Sequence, residues 1–356
     1  GSRTFPEIGG EVVQNASFTF WNTTADEKGS YLRLVDENTT ELKRNKTLQA
    51  IQDFDCSWFY RSDQSDFNKI PGNQIAYWLK TKSFQIFENE LMGVQTTLFQ
   101  GIITGKNDEA IRLWSEIENN KFSCELEDIN EFNELKYWVP YNKGGLSKKW
   151  YGNLELVINF SQKGRDFTRG KHQFYRYFFK PCFSWNYIGS NTPMARYYYG
   201  NTIWDVHGSS GFMKENDKLL YRMALINSKV GKYLLNIINP TISFQVENIA
   251  AIPIIESDKS NLELIQNNIS NSSVEWNSRE TAWDFKQNEL IRINGQDTSA
   301  SLGTGLEEAY DSYCHYWQNK FFELHKNEEE LNKQFIDIYD LQDELTPDVL
   351  LEDITI

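Results

Sequence analysis

The chain has 356 residues, 40% of them hydrophobic, and a formal net charge of −14. This composition argues against a disordered chain and is long enough for more than one core. No apolar run reaches the roughly 18 residues that span a bilayer. The four cysteines (Cys56, Cys124, Cys182, Cys314) lie far apart without a CxxC pair, so no disulfide framework is expected and a cytoplasmic location is. The four histidines (His172, His207, His315, His325) show no zinc-ligand spacing. Gly1-Ser2 reads as a remnant of cloning, with no signal peptide after it.

The charge is unevenly spread. Between Lys136 and Lys232 there are 16 lysines and arginines against 5 acidic residues, a net of +11. Residues 1–135 carry −9 and residues 233–356 carry −16. Such asymmetry points to a central polyanion-binding domain between acidic ones, the bland alternative being a solvated basic face.

In chain order, residues 11–21 and 30–35 read as strands. Residues 37–73 are polar and irregular, apart from a short helix at 47–52. Pro71-Gly72-Asn73 starts a helix bearing Ile75, Trp78 and Leu79. Asn107 caps a helix running to Glu118, with Ile111, Trp114 and Ile117 on one face. Leu154, Leu156, Ile158 and Phe160 alternate as a strand, and 174–188 and 195–206 read as aromatic strands. Leu219, Met223, Ile226, Val230, Tyr233 and Ile237 define one helix, stopped by Asn239-Pro240. Residues 249–255 form an apolar, strand-like exit. The stretch at 295–305 reads as a loop. Leu306, Tyr310, Tyr313, Trp317, Phe321 and Leu324 make a helical stripe, and Asn327 with Glu330 fits a capping box that starts a further helix.

Catalytic machinery is missing from the sequence. It has no P-loop and no convincing carboxylate cluster for a nuclease metal. An amino-methyltransferase needs a glycine-rich cofactor turn and an Asn/Asp-Pro-Pro-aromatic turn that holds a flipped base. The nearest text, Asn239-Pro240-Thr241, lacks the second proline and the aromatic. By its own residues the chain reads as a binding part.

Longer signatures carry a resemblance. Gly101-Ile-Ile-Thr-Gly-Lys-Asn-Asp-Glu-Ala-Ile-Arg-Leu-Trp-Ser-Glu116 resembles the GxxTGxNxxFxRxW segment of the specificity half of many adenine-specific DNA methyltransferases, with Ala110-Ile111 where a Phe is common. Lys136-Tyr-Trp-Val-Pro-Tyr-Asn-Lys-Gly-Gly-Leu-Ser-Lys-Lys-Trp-Tyr-Gly-Asn153, Leu225-Ile-Asn-Ser-Lys-Val230, Asn239-Pro-Thr-Ile-Ser-Phe-Gln-Val-Glu-Asn-Ile249 and the end from Asn327 to Pro347 point the same way. Together they resemble the C-terminal part of the PglX family, the adenine-specific DNA methyltransferases of BREX phage-exclusion systems, from about Phe5 to Ile356.

The resemblance implies an α+β fold. Residues 1–94 would end a methyltransferase domain, with Phe5–Gln14 among the last strands of its α/β sheet. Residues 95–256 would form a mixed α/β target recognition domain, and 257–356 an acidic helical region. It implies N6-adenine methylation by the full-length enzyme with S-adenosylmethionine, but no cofactor and no activity in this stretch. Partners would be double-stranded DNA, other BREX proteins and phage-encoded inhibitors, with no membrane. Two alternatives stay open. One is the specificity half of a single-chain restriction-methylation enzyme. The other is a protein-docking module built on Trp276, Trp283, Trp317 and Phe321.

The DNA-binding candidates follow from residue type. Lys143, Lys148 and Lys149 flank Gly144-Gly145, where a backbone could approach phosphate. Tyr141 and Trp150 bracket that loop and could stack or merely pack. Arg165, Arg169 and Lys171 follow a strand, and Arg196 follows a turn; arginine is the usual partner of guanine in the major groove. Thr104 and Lys106 precede a helix start whose free amides could hold a phosphate, or their loop merely connects domains.

Overall fold

The computed structural model describes residues 15–22, 27–169, 172–188, 193–257, 261–296 and 306–356. The chain divides into two units, residues 1–89 and 90–356. In the first, strands β1 (Gly29–Leu32) and β2 (Phe59–Ser62) pair antiparallel with Tyr31 opposite Tyr60. The Tyr31 ring stacks on Tyr77, with centroids 4.6 Å apart. Helix α1 (Thr40–Gln52) is longer than the expected 47–52, because the Thr39 hydroxyl caps it by accepting from Leu42 N–H. The buried Lys43 amino group ties α1 to the preceding turn, donating to the carbonyls of Leu34 and Glu37 at 2.6 Å each.

The helix expected from Pro71 does not form. Gly72 and Asn73 sit at φ of 83° and 52°, left-handed values that a right-handed helix cannot contain. The chain turns until α2 (Thr81–Ile86). The strand expected at 11–21 is not seen over residues 15–21, where Phe18, Phe20 and Trp21 are exposed. Phe5–Gln14, the expected last strands of a methyltransferase sheet, lie outside the described residues.

The second unit opens with α3 (Met92–Gln95), β3 (Thr97–Phe99), β4 (Ile103–Thr104), α4 (Asn107–Ala110), β5 (Ile111–Leu113) and β6 (Trp138–Asn142). It continues through β7 (Leu156–Asn159), α5 (Gln162–Arg165), β8 (Thr168–Arg169), β9 (Cys182–Trp185), β10 (Ala195–Tyr198), β11 (Ile203–Trp204) and β12 (Ser210–Phe212). One sheet has the order β10-β9-β12-β3, another the order β11-β6-β7-β5, and β4 pairs with β8. A core of Phe99, Val139, Ile158, Phe160, Phe178, Trp204 and Phe212 fills this region. Alternation at 154–160 produces β7 as expected.

Two readings fail here for one reason: tertiary pairing outweighs local propensity. The helix expected from Asn107 stops after one turn, because Ile111 and Leu113 pair as β5 with Ile158 and Leu156 of β7. Of the aromatic strand expected at 174–188, only β9 forms. A 3-10 turn takes His172–Tyr177 instead, and Phe179 sits at φ 66°.

The helices follow. The expected single helix splits into α6 (Asn216–Asn227) and α7 (Lys229–Ile238), because the Ser228 hydroxyl caps α7 by accepting from Gly231 N–H at 3.1 Å. Asn239 ends α7 as expected. After α8 (Val246–Ala250), Ile252 and Ile254 are buried and bond the backbone at 90–92. Then come α9 (Leu262–Asn277), α10 (Glu289–Gln296) and α11 (Leu306–Tyr339). The capping box at Asn327 does not start a helix. Leu324, Leu331 and Phe335 share one buried face, and α11 runs straight through. The loop read at 295–305 falls largely on residues outside the description. The fold is mixed α/β with a helical C-terminal region.

At Gly231 a Cβ would stand 2.1 Å from the Leu225 carbonyl oxygen, so the α6–α7 corner closes only around glycine. Gly231→Ala is expected to lower stability by roughly 1–3 kcal/mol, since the corner must open. Urea denaturation measures it; an unchanged midpoint would show that the corner adapts freely.

Candidate nucleic-acid interface

Three segments run in parallel and leave the second unit at one end. Ile203 and Trp204 of β11 lie parallel to Tyr141 and Asn142 of β6. Ile102 lies parallel to Asp205 on the other side, with Ile102 N–H donating to Trp204 O at 2.9 Å and Val206 N–H to Ile102 O at 3.1 Å. Only glycine fits just before, since a Cβ on Gly101 would lie 1.9 Å from the Trp204 oxygen. The three exits carry Thr104–Lys106, Lys143 and His207. Carboxyl ends of parallel strands are where ligand sites commonly form.

The β4–β8 pair adds a fourth segment. Ile103 lies opposite Arg169 and Thr104 opposite Thr168, and Gly105 N–H donates to Phe167 O at 2.8 Å. Residues more than sixty positions apart thereby share one exposed edge. The Lys106 amino group stands 4.9 Å from the Phe167 ring centre and 3.0 Å from Glu109; at such exposure that ion pair is weak. The Thr104 hydroxyl donates to Asn107. Arg169 and Lys163 are exposed and make no ion pair among the described residues. Lys143 lines a cleft of about 410 Å³ together with Asn107, Asp108, Ile111, Arg112 and Glu116. Free cations beside exposed backbone turns can hold phosphates.

Asp205 underlies this end. Its carboxylate accepts from the Tyr141 hydroxyl at 2.6 Å, from His207 N–H at 2.9 Å, and faces His207 Nδ1 at 2.8 Å. Burial and the neighbouring carboxylate hold the Tyr141 phenol well above its usual range. Tyr141 is therefore a core residue and not a base contact. In the sequence, the mark of His207 is its Asp-X-His spacing from Asp205.

Several expected contacts face inward. The Lys148 amino group stands 3.0 Å from Glu275 of α9. Lys149 pairs with Glu328 of α11 at 2.6 Å, with the two side chains 12% and 4% exposed. Trp150, at φ 68°, donates its indole N–H to the same Glu328 at 2.7 Å. The expectation that these three touch DNA is corrected: the acidic helices take them. Arg196 is fully buried on β10. Its guanidinium donates to Asn186, to Gly144 O at 2.8 Å, to Lys148 O at 3.2 Å and to the Tyr198 hydroxyl at 3.2 Å, so it reads no base and holds the 144–148 loop. Gly144 and Gly145 sit at φ 87° and 72°. A Cβ at Gly144 would lie 2.7 Å from the His207 oxygen, so the glycines serve loop closure. Arg165 bonds Glu134 at 2.7 Å and Phe160 O at 2.8 Å, which engages most of its fork. Lys171 lies outside the described residues.

Removing a buried partner leaves a bare charge, a loss of about 3–5 kcal/mol. Glu328→Ala is therefore expected to destabilise the protein by about that much in urea, whereas Glu109→Ala, at an exposed pair, should barely move the midpoint. Equal, small effects would show that the Lys149–Glu328 contact is not maintained.

Among the described residues no group of three or more His, Cys, Asp or Glu side chains could hold a metal ion, and no helix is long and apolar enough to cross a membrane. A cavity of about 770 Å³ lies in the helical region, lined in part by Tyr310, Tyr313, Trp317 and Phe321. Trp276 and Trp283 instead pack on the sheet core. No family model matches the sequence. It is 33% identical over its whole length to an adenine-specific methyltransferase PglX of Lacticaseibacillus casei (strain Zhang), of which the match covers 30%. It is 30% identical over 97% of its length to an adenine-specific methyltransferase BrxX of Escherichia coli O9:H4 (strain HS), covering 27% of that protein. The chain thus spans under a third of the length of these relatives, and over that span it is similar to the two proteins named adenine-specific methyltransferases PglX and BrxX.

Proposed function

We propose that this chain is the double-stranded DNA recognition part of a BREX-type adenine-specific methyltransferase. In this reading it meets DNA at the end where Thr104, Lys106, Lys143 and Arg169 converge. The observation that carries the proposal is the +11 central segment, part of whose charge stays exposed at that end after its buried members are paired. Arg169 offers a planar fork suited to guanine O6 and N7, while Lys106, Lys143 and Lys163 act as point charges on phosphates.

The names of the relatives suggest S-adenosylmethionine as methyl donor for the whole enzyme. At the glycine turn of this end the Gly105 N–H already donates to Phe167 O at 2.8 Å, so that amide is engaged by protein. We assign cofactor binding and methyl transfer to N6 of adenine to parts of the enzyme outside these residues. The domain limits that go with this reading are a recognition domain over 95–256 and an acidic helical region over 257–356.

Duplex binding should be salt-dependent. With about four phosphates neutralised, log K is expected to fall against log salt with a slope of about −3 to −4. Lys106→Ala with Lys143→Ala should weaken binding to all sequences alike and reduce the slope by about two units. Arg169→Ala should cost about 1–3 kcal/mol, mainly on the methylated motif. Fluorescence anisotropy across a salt series checks all three. Binding that is flat with salt, or unaltered in every variant, would remove this end as the footprint.

A further inference from the structure

Asp205-Val206-His207 leaves the sheet at the same end as the candidate cations, since Ile102 and Asp205 lie parallel. His207 Nδ1 stands 2.8 Å from the buried Asp205 carboxylate, and the imidazole meets the Tyr187 ring edge-on with centroids 5.6 Å apart. The side chain nonetheless stays 57% exposed. A ring fixed at Nδ1 by a carboxylate has one neutral tautomer, with Nδ1–H on Asp205 and a bare Nε2 facing out. Protonation turns that Nε2 from acceptor to donor, with Asp205 as counter-charge behind the ring.

We infer that His207 is a further contact to the nucleic-acid backbone, donating from Nε2 to a phosphate in its imidazolium form, and that DNA binding is thereby linked to proton uptake. This rests on the reading that this end of the unit meets duplex DNA. The titratable and charged groups facing the ring are few. Asp205 lies on its own segment, and Tyr141 of β6 acts through that carboxylate. Tyr187, just past β9, supplies the ring edge. Lys143 of the 142–145 turn precedes Gly144, whose backbone packs on the His207 carbonyl. Among the described residues no other carboxylate pairs with His207. The site is thus an exposed imidazole held at Nδ1 by a buried carboxylate, whose other nitrogen suits an anion.

The test is anisotropy with a labelled duplex oligonucleotide at about pH 6 and about pH 8, the range over which imidazoles change charge. Wild type is expected to bind about three- to tenfold more tightly at the lower pH, with a salt slope steeper there by about one unit. His207→Gln should lose both the pH effect and the extra slope. His207→Lys keeps a charge throughout and should bind at about pH 8 as wild type does at about pH 6; it carries the test if the glutamine variant folds poorly. Variants whose pH and salt curves superimpose on wild type overturn the inference but leave DNA binding standing. A wild type that binds no duplex at either pH overturns the DNA reading and the inference with it.

Discussion

A buried charge must find a partner, and that requirement organises the second unit. Lys148 and Lys149 belong to the basic central segment, and Glu275 and Glu328 to the acidic helical one. Each pair is largely removed from water, where an unmatched charge costs several kcal/mol. Joining them fastens α9 and α11 to the loop at 143–153. Arg196 completes the arrangement from beneath, donating to the carbonyls of Gly144 and Lys148. Part of the imbalance between +11 and −16 is thus internal to the fold and is not a measure of what the surface offers to a partner.

The cations that remain outside are sorted by strand direction. Parallel alignment of residues 102, 141–142 and 203–205 sends three loops out of one end. The short β4–β8 pair then sets Arg169 opposite Ile103, on the strand that runs on toward Lys106. Asp205 anchors this end through three short contacts, so the loops that carry the cations leave from a rigid base. Rigid elements below and short turns above are a common arrangement for recognition surfaces.

Where the sequence read wrongly, the cause was non-local. Asn107 does begin a helical turn, yet Ile111 and Leu113 are worth more as partners of β7 than as a helix face. Asn327 and Glu330 satisfy a capping pattern, but Leu324 lies on the same buried face of α11 as Leu331, so no break can occur. Lysines in a glycine loop and arginines after a turn have the right chemistry for DNA. Whether they face water or an acidic helix is not written in their neighbours along the chain.

By itself, the sequence determined the mixed α/β class, the helical acidic end, the alternation that makes β7 and the likeness to adenine-specific methyltransferases, because periodicity, composition and motif text are local properties. The tertiary structure alone decided which cations of the basic segment are free. Lys148, Lys149 and Arg196 go inside and Lys143, Lys163 and Arg169 stay out, because burial of a charge depends on whether a counter-charge arrives from elsewhere in the chain, as Glu275 does 127 positions after Lys148.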